Sequence, residues 1–277
     1  MRLAPCSLIL LALFGAAPLQ AQTPVAAGVT AGAVKLTAQR SEQAVTGILQ
    51  LQARSWLSFS ATPSFVHVSD VVSSKPVSSN GSGDLPLSAD AFHAFSTRGS
   101  PVVGAALTVV LPTGNAACGL GSGVTSVGLD LGAGASPSPR LHLAADASRS
   151  IGGGLSAQST LSAPHATSLR GEASYDLSPR WTTNVSLGAD VGQVDSTQAL
   201  SRALGAGLTH SLGALTLTLD ASVGLSAASP KWALSVGLGR VFAGTSPVSP
   251  SSGLRRLKSN FVGGVSRGNG GGKIGCR

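Results

Sequence analysis

From Ala31 onward, apolar residues alternate with small or polar ones in segments about ten residues long, separated by Pro, Gly, Ser and Asn. In TSLRGEASYDL, Leu169, Gly171, Ala173, Tyr175 and Leu177 share one face, and Ser168, Arg170, Glu172, Ser174 and Asp176 share the other. WTTNVSLGADV sets Trp181, Val185, Leu187 and Val191 against Thr182, Asn184, Ser186 and Asp190, and LTLTLDASVGL sets Leu215, Leu217, Leu219 and Val223 against Thr216, Thr218, Asp220 and Ser222. In RLHLAADAS, Leu141, Leu143 and Ala145 oppose His142, Ala144 and Asp146. A period of two is that of a strand, not a helix. The pattern predicts twelve strands, over residues 29–39, 44–60, 84–95, 101–111, 124–134, 140–150, 153–161, 167–177, 181–191, 199–211, 214–226 and 231–242. Residues 64–69 form either a further strand or a continuation of the second beyond Pro63.

A water-soluble sandwich also alternates, so the composition of the polar face decides. Charged residues make up 11% of the chain, against roughly a quarter in soluble domains. The polar faces are mostly Gly, Ser and Thr, a poor surface for a soluble monomer. They suit a closed, all-β, antiparallel transmembrane barrel of the outer-membrane type, whose apolar face meets acyl chains while the mild polar face looks into a lumen. Closure is required in hydrocarbon, where an unpaired strand edge costs several kcal/mol per amide. The lumen-facing candidates are then Asp130, His142, Asp146 and Arg170, followed by Glu172, Asp176, Asp190 and Asp220.

The ends of the chain differ from its middle. MRLAPCSLILLALFGAAPLQA has one Arg, a short apolar core and a small-residue exit, the form of a secretory signal over residues 1–21, cut after Ala21. The barrel is expected over 22–242. Its last strand, KWALSVGLGRVF, ends on an aromatic residue, as outer-membrane barrels commonly do, with Arg240 placed to snorkel at an interface. Residues 243–277 are rich in Gly, Ser and basic residues, contain no acid and show no period; they read as a disordered tail, or as a basic segment contacting anionic lipid or cell-wall polymer. The net charge of +8 is misleading, since six of the 19 Lys and Arg lie in that tail. With the body nearly neutral and aromatics at 4%, a nucleic-acid partner is not indicated. Cys118 and Cys276 are the thiols left after signal removal, too few for a disulfide framework.

Little catalytic chemistry stands out. LPTGNAACGLGSG resembles a phosphate loop, but VTSVGLDLGAG behind it continues as a strand rather than a helix, and no Lys-Ser or Lys-Thr follows. Glycines 119, 121 and 123 therefore serve the backbone angles of a connection. No His spacing forms a ligand pattern, so neither a metal nor another cofactor is expected. His142 and Asp146 share a face but stand about 13 Å apart along one strand at 3.3 Å per residue. A catalytic dyad would need a partner from a neighbouring strand, such as Asp130 or the Arg170–Glu172 pair. The chain reads as a non-enzyme whose lumen pairs opposite charges on adjacent strands. Trp181 and Trp232 at strand starts, with Tyr175 and Phe242 near strand ends, make a thin interfacial belt.

SSNGSGDLPLSADAF, followed by GAALTVVLPTGNAACGLGSGVTSVGLDLGAG, is similar to the outer-membrane barrel family of the MetA pathway of phenol degradation. Gly83-Asp84-Leu85 at a strand start, Pro112-Thr113-Gly114 at a strand end and a Gly-x-Gly connection carry the likeness, with Asn115 where an Asp is usual. The resemblance implies a channel passing small, often aromatic compounds and offers no catalytic residues. Outer-membrane lipid and the barrel-assembly machinery are the partners that a barrel of this kind implies. Counting strands back from Phe242 places the loop 112–123 at the same end as the C-terminus, which conflicts with the short turns expected there.

Overall fold

The computed structural model describes residues 25–72, 74–97, 99–153, 167–191 and 201–241. The expected signal and basic tail lie outside them. Within them are 14 strands: β1 (Val25–Lys35), β2 (Ser41–Arg54), β3 (Leu57–Ala61), β4 (Ser64–Val72), β5 (Lys75–Ser82), β6 (Leu85–Ala94), β7 (Val102–Leu111), β8 (Ser126–Ala135), β9 (Leu141–Gly153), β10 (Thr167–Ser178), β11 (Trp181–Val191), β12 (Arg202–Leu212), β13 (Leu215–Gly224) and β14 (Trp232–Val241). One 3-10 turn, Ala116–Cys118, interrupts the loop after β7.

Every pairing is antiparallel, and β1 pairs with β14 on one side and β2 on the other, so the sheet closes on itself. The closed wall contains twelve staves, because β4 and β5 prolong β3 and β6 instead of adding to the circumference. β2 pairs with β3 through Leu49–Arg54 and with β4 through Ser41–Thr46. The step between β3 and β4 falls at Pro63, whose carbonyl still accepts the Gly47 N–H at 2.8 Å. A proline lacks the N–H the ladder needs, so it marks the seam. Residues 64–69 thus continue a strand past Pro63, but that strand is the third.

The twelve arises from a different set of strands than the pattern predicts. Residues 44–60 contain two strands reversed at Ser55-Trp56, not one. In the other direction, β9 pairs directly with β10, so no separate strand over 153–161 stands between them in the wall. Gly153 ends β9, and 154–161 lie outside the described residues. β5, KPVSSNGS, has Val77 as its one large aliphatic residue and so no alternation to announce it; it pairs with β4 alone and lies at the end of the strand order.

Removing the extra strand resolves the conflict over sidedness. β7 and β8 meet at Val110↔Ser126, and the register runs around the wall through Arg149↔Thr167, Val223↔Trp232 and Trp232↔Lys35 to the end opposite Val25 and Val241. The loop 112–125 is therefore at the far end. Connections at the terminal end are short, down to the two residues Gly213-Ala214, where Gly213 takes φ +66 for a tight hairpin.

The alternation sorts the side chains as a lipid-spanning barrel requires. Leu215, Leu217, Leu219 and Val223 of β13 remain 38–48% exposed on the outside, while Thr216 and Thr218 between them are 5–6% exposed inside. At about 3.3 Å per residue and a 40° tilt, such a stave carries an apolar band roughly 20–25 Å tall, the thickness of an outer-membrane barrel's lipid belt. Lys35, Arg149 and Arg202 follow the outward parity, and each sits at the far rim. Trp181 stacks on His210 near the opposite rim, with ring centroids 4.0 Å apart. Trp232, beside Lys35, is at the far end.

Candidate functional site: the lumen and its far mouth

Inward parity gathers nearly all the acidity of the protein. Asp130 lies in a row that runs Asp90, Ala106, Asp130, Ser148, Ser168, Asp190 across five neighbouring pairings. Asp146 stands opposite Arg170, and Asp220 opposite Gly207 and Ser235. With Glu42, Glu172 and Asp176, eight of the 11 carboxylates of the chain lie on the inner faces of strands. Two guanidiniums answer them, Arg170 and Arg40, leaving the wall a formal −6. Asp130, His142, Asp146, Arg170, Glu172, Asp176, Asp190 and Asp220 all have the strand parity opposite to that of the exposed leucines and valines. Asp90 and Glu42, which belong with them, sit in strands whose alternation is interrupted.

The polar groups form local networks. Arg170 Nη2 donates to Glu172 Oε2 at 3.0 Å, and Ser174 Oγ donates to Glu172 Oε1 at 3.2 Å. This ion pair joins alternate residues of one strand, whereas His142 and Asp176 pair across the adjacent strands β9 and β10. Ser168 Oγ donates to Asp190 at 2.6 Å. His142 does not reach Asp146. It bridges Ser136 Oγ, 2.8 Å from Nδ1, and Asp176 Oδ2, 3.1 Å from Nε2. Thr182 Oγ1 also donates to Asp176 at 2.6 Å. Sequence reasoning named His142 and Asp176 but not Ser136, which the short turn after β8 brings back over the lumen.

Arg40 and Glu42 form the most enclosed ion pair. Nη2 and Nε of Arg40 donate to Glu42 Oε1 at 2.8 and 3.0 Å, and the two side chains are 8% and 3% exposed. Glu42 faces Val68, which is fully buried.

At the same far end the loop 112–125 folds inward. Cys118 and Leu120 are buried with Val68, against Val66 and Val77, on the inner face of the β4–β5 hairpin. Asp84, at the step between β5 and β6, holds the loop by its ends: Oδ1 accepts the Gly114 N–H at 3.1 Å, and Oδ2 accepts both the N–H and hydroxyl of Ser122 at 2.7 Å. Thr113 Oγ1 donates to the Gly83 carbonyl at 2.8 Å. Gly114 and Gly121 lie so close that a Cβ on Gly114 would come within 2.9 Å of the Gly121 Cα. Gly119 and Gly123 both take φ +71. The Gly-Asp-Leu, Pro-Thr-Gly and Gly-x-Gly segments thus meet in one latch that folds a loop into the mouth of the barrel. Cys118, within that loop, is disulfide-bonded.

No family model matches the chain, and no curated protein matches it. Among solved structures, it is similar to the KdgM porin, with a TM-score of 0.53 and 9% identity over 79% of this chain and 99% of that one. The fold is that of a porin barrel. The KdgM porin in complex with disordered oligogalacturonate gives the same values. The NanC porin aligns over 78% of this chain and 99% of that one, at 10% identity and a TM-score of 0.46.

Proposed function

We propose that the protein is an outer-membrane channel through which small solutes pass passively. The observation that carries this reading is the closed twelve-stave wall with an apolar exterior and a polar, acidic interior. Eight-stranded barrels are filled by their own side chains, and 16–18-stranded ones leave an aqueous pore; twelve staves lined largely by Gly, Ser, Thr and carboxylates fall between. Export by a signal over 1–21 and outer-membrane lipid around the apolar belt belong to the same reading.

The resemblance to the MetA-pathway barrels favours small, often aromatic compounds. The wall adds a sign: a formal −6 within a low-dielectric cylinder repels anions, so neutral or cationic compounds are the solutes it fits. The KdgM porin forms a complex with oligogalacturonate, an anionic ligand that does not suit this wall. Purified protein reconstituted in liposomes will pass small aromatic amines faster than aromatic carboxylates of equal size. Flux equal to that of empty liposomes would refute the channel.

The Ser136–His142–Asp176 chain favours one second reading, a barrel hydrolase. Its shortcoming is electrostatic. The Ser136 N–H, the nearest oxyanion donor, is already given to the Gly99 carbonyl at 2.6 Å, and Asp176 is shared with Thr182. Ester hydrolysis by the folded barrel, if any is measured, is expected to be unchanged in His142→Ala; its loss in that variant would favour the hydrolase.

A further inference from the structure

We propose that the outward side of the far rim binds an anionic lipid headgroup, whose phosphate is taken by Lys35, Lys231 and Arg202 around Trp232. This rests on the barrel reading above. Charge, a built frame and the adjoining apolar surface lead to it.

Lys35 has the strand parity of the exposed Val29, Arg202 that of Leu204, and Trp232 that of Leu234 and Val236. None of the described carboxylates that lie in strands shares this parity, and Asp84, between strands, is engaged by the loop latch. Lys35, Lys231 and Arg202 form no ion pair with a described carboxylate. Like charges held around one ring repel one another unless an anion comes between them.

The ladder and the turn between β13 and β14 fix these cations in place. Lys35 stands opposite Trp232, and its carbonyl accepts the Lys231 N–H at 2.7 Å. Two strands from Trp232, the Arg202 N–H donates to Ser229 Oγ at 2.7 Å, and the Arg202 carbonyl accepts the Leu225 N–H at 2.8 Å. Ser229, 5% exposed, also meets Ser226 Oγ at 2.8 Å. The turn folds this tightly because Gly224 has no side chain: a Cβ there would come within 2.6 Å of Ser229 Cβ. Lys35 and Arg202 are then about 15 Å apart across the sheet, with Trp232 between them, a span that their long stems close around a headgroup.

The surface beside the cations says what carries the phosphate. Val223, Leu225 and Leu234 are 47–55% exposed there, so the ligand that suits both parts has acyl chains joined to an anionic group. A free anion would leave the apolar part uncovered. Arginine meets phosphate with a planar pair of donors, lysine adds a point charge, and tryptophan is a ring suited to headgroup level.

The test uses the full chain with Trp56→Phe and Trp181→Phe, which leaves Trp232 as the indole that reports. It is folded into phosphatidylcholine vesicles containing brominated phosphatidylglycerol or brominated phosphatidylcholine as a minor component. The expected result is quenching of Trp232 at about tenfold lower mole fraction of the phosphatidylglycerol at low salt. The preference should vanish in the triple change Lys35→Ser, Lys231→Ser, Arg202→Ser, and at 1 M salt, where the Debye length is about 3 Å. It should persist in Arg149→Ser, which removes a cation elsewhere on the same rim. Equal quenching by the two lipids, or an equal loss in Arg149→Ser and the triple variant, would overturn the site. So would loss of the preference on adding inorganic phosphate at constant ionic strength, which would mean that the free anion is the ligand. Shielding of Trp232 from both lipids would place a second copy of the chain there and overturn it as well. In each case a heat-dependent gel shift shows that the barrel itself stands; absence of that shift in the parent would instead overturn the barrel reading.

Discussion

Arg40→Met should destabilise the folded barrel by about 3–5 kcal/mol, the usual result of leaving a buried charge without its partner. Glu42 is almost fully enclosed, faces Val68, and takes both of its charge-assisted hydrogen bonds from the Arg40 guanidinium. With methionine in place the carboxylate must remain buried unpaired, take up a proton or pull water into the rim, and each of these opposes folding. Replacing the pair together, Arg40→Met with Glu42→Leu, should recover most of the loss, because the larger part of the single-variant effect is the stranded charge and not the attraction itself. Urea unfolding of the barrel folded into lipid vesicles measures both. A single variant within about 1 kcal/mol of the parent, as exposed ion pairs behave, would mean that water reaches this pair.

The second large effect is at Asp84. Its carboxylate accepts two backbone N–H groups and one hydroxyl from the two ends of a loop that has no strand neighbours of its own. Hydrogen bonds to a charged group contribute about 1.5–3 kcal/mol each, so Asp84→Ala should cost about 2–4 kcal/mol once the loop relaxes and water replaces part of the network. Asp84→Asn keeps an acceptor of the same shape and should lose roughly half as much. Relaxation means that the loop leaves the mouth. Protease cutting between Pro112 and Val124 should accordingly appear in Asp84→Ala on intact vesicles and be absent from the parent. If both variants resist protease as the parent does, the apolar contacts of Leu120 and Cys118 hold the loop without the latch.

How much of this was legible in the sequence follows from where lipid imposes a pattern. In β10, β11 and β13 exposed apolar residues alternate with less exposed ones along nearly the whole strand, and boundaries are read within a residue or two. Asp130, Asp176 and Asp220 alternate with the exposed apolar residues of their strands. Where the strands leave the closed wall, the signal fades. β5 pairs with β4 alone beyond the closed ladder, and its sequence KPVSSNGS carries no alternation. The turn at Ser55-Trp56 contains neither Gly nor Pro, so β2 and β3 read as one strand. Contacts between distant segments were hidden for another reason. Asp84 to Ser122 spans 38 residues and His142 to Asp176 spans 34, and no local period reports on such partners.

The step at Pro63 has one more consequence. Elsewhere each stave has neighbours on both sides, but β5 pairs with β4 alone, and its other margin is met by side-chain contacts such as Ser82 Oγ to the Thr113 carbonyl at 3.4 Å. A margin of that kind invites strand addition by foreign polypeptide, which ends in aggregation. Lys75 and Pro76 open β5, and small polar residues fill the rest. Among the described residues, the stretch where this cylinder is unzipped is therefore written in residues that make poor templates for strand addition.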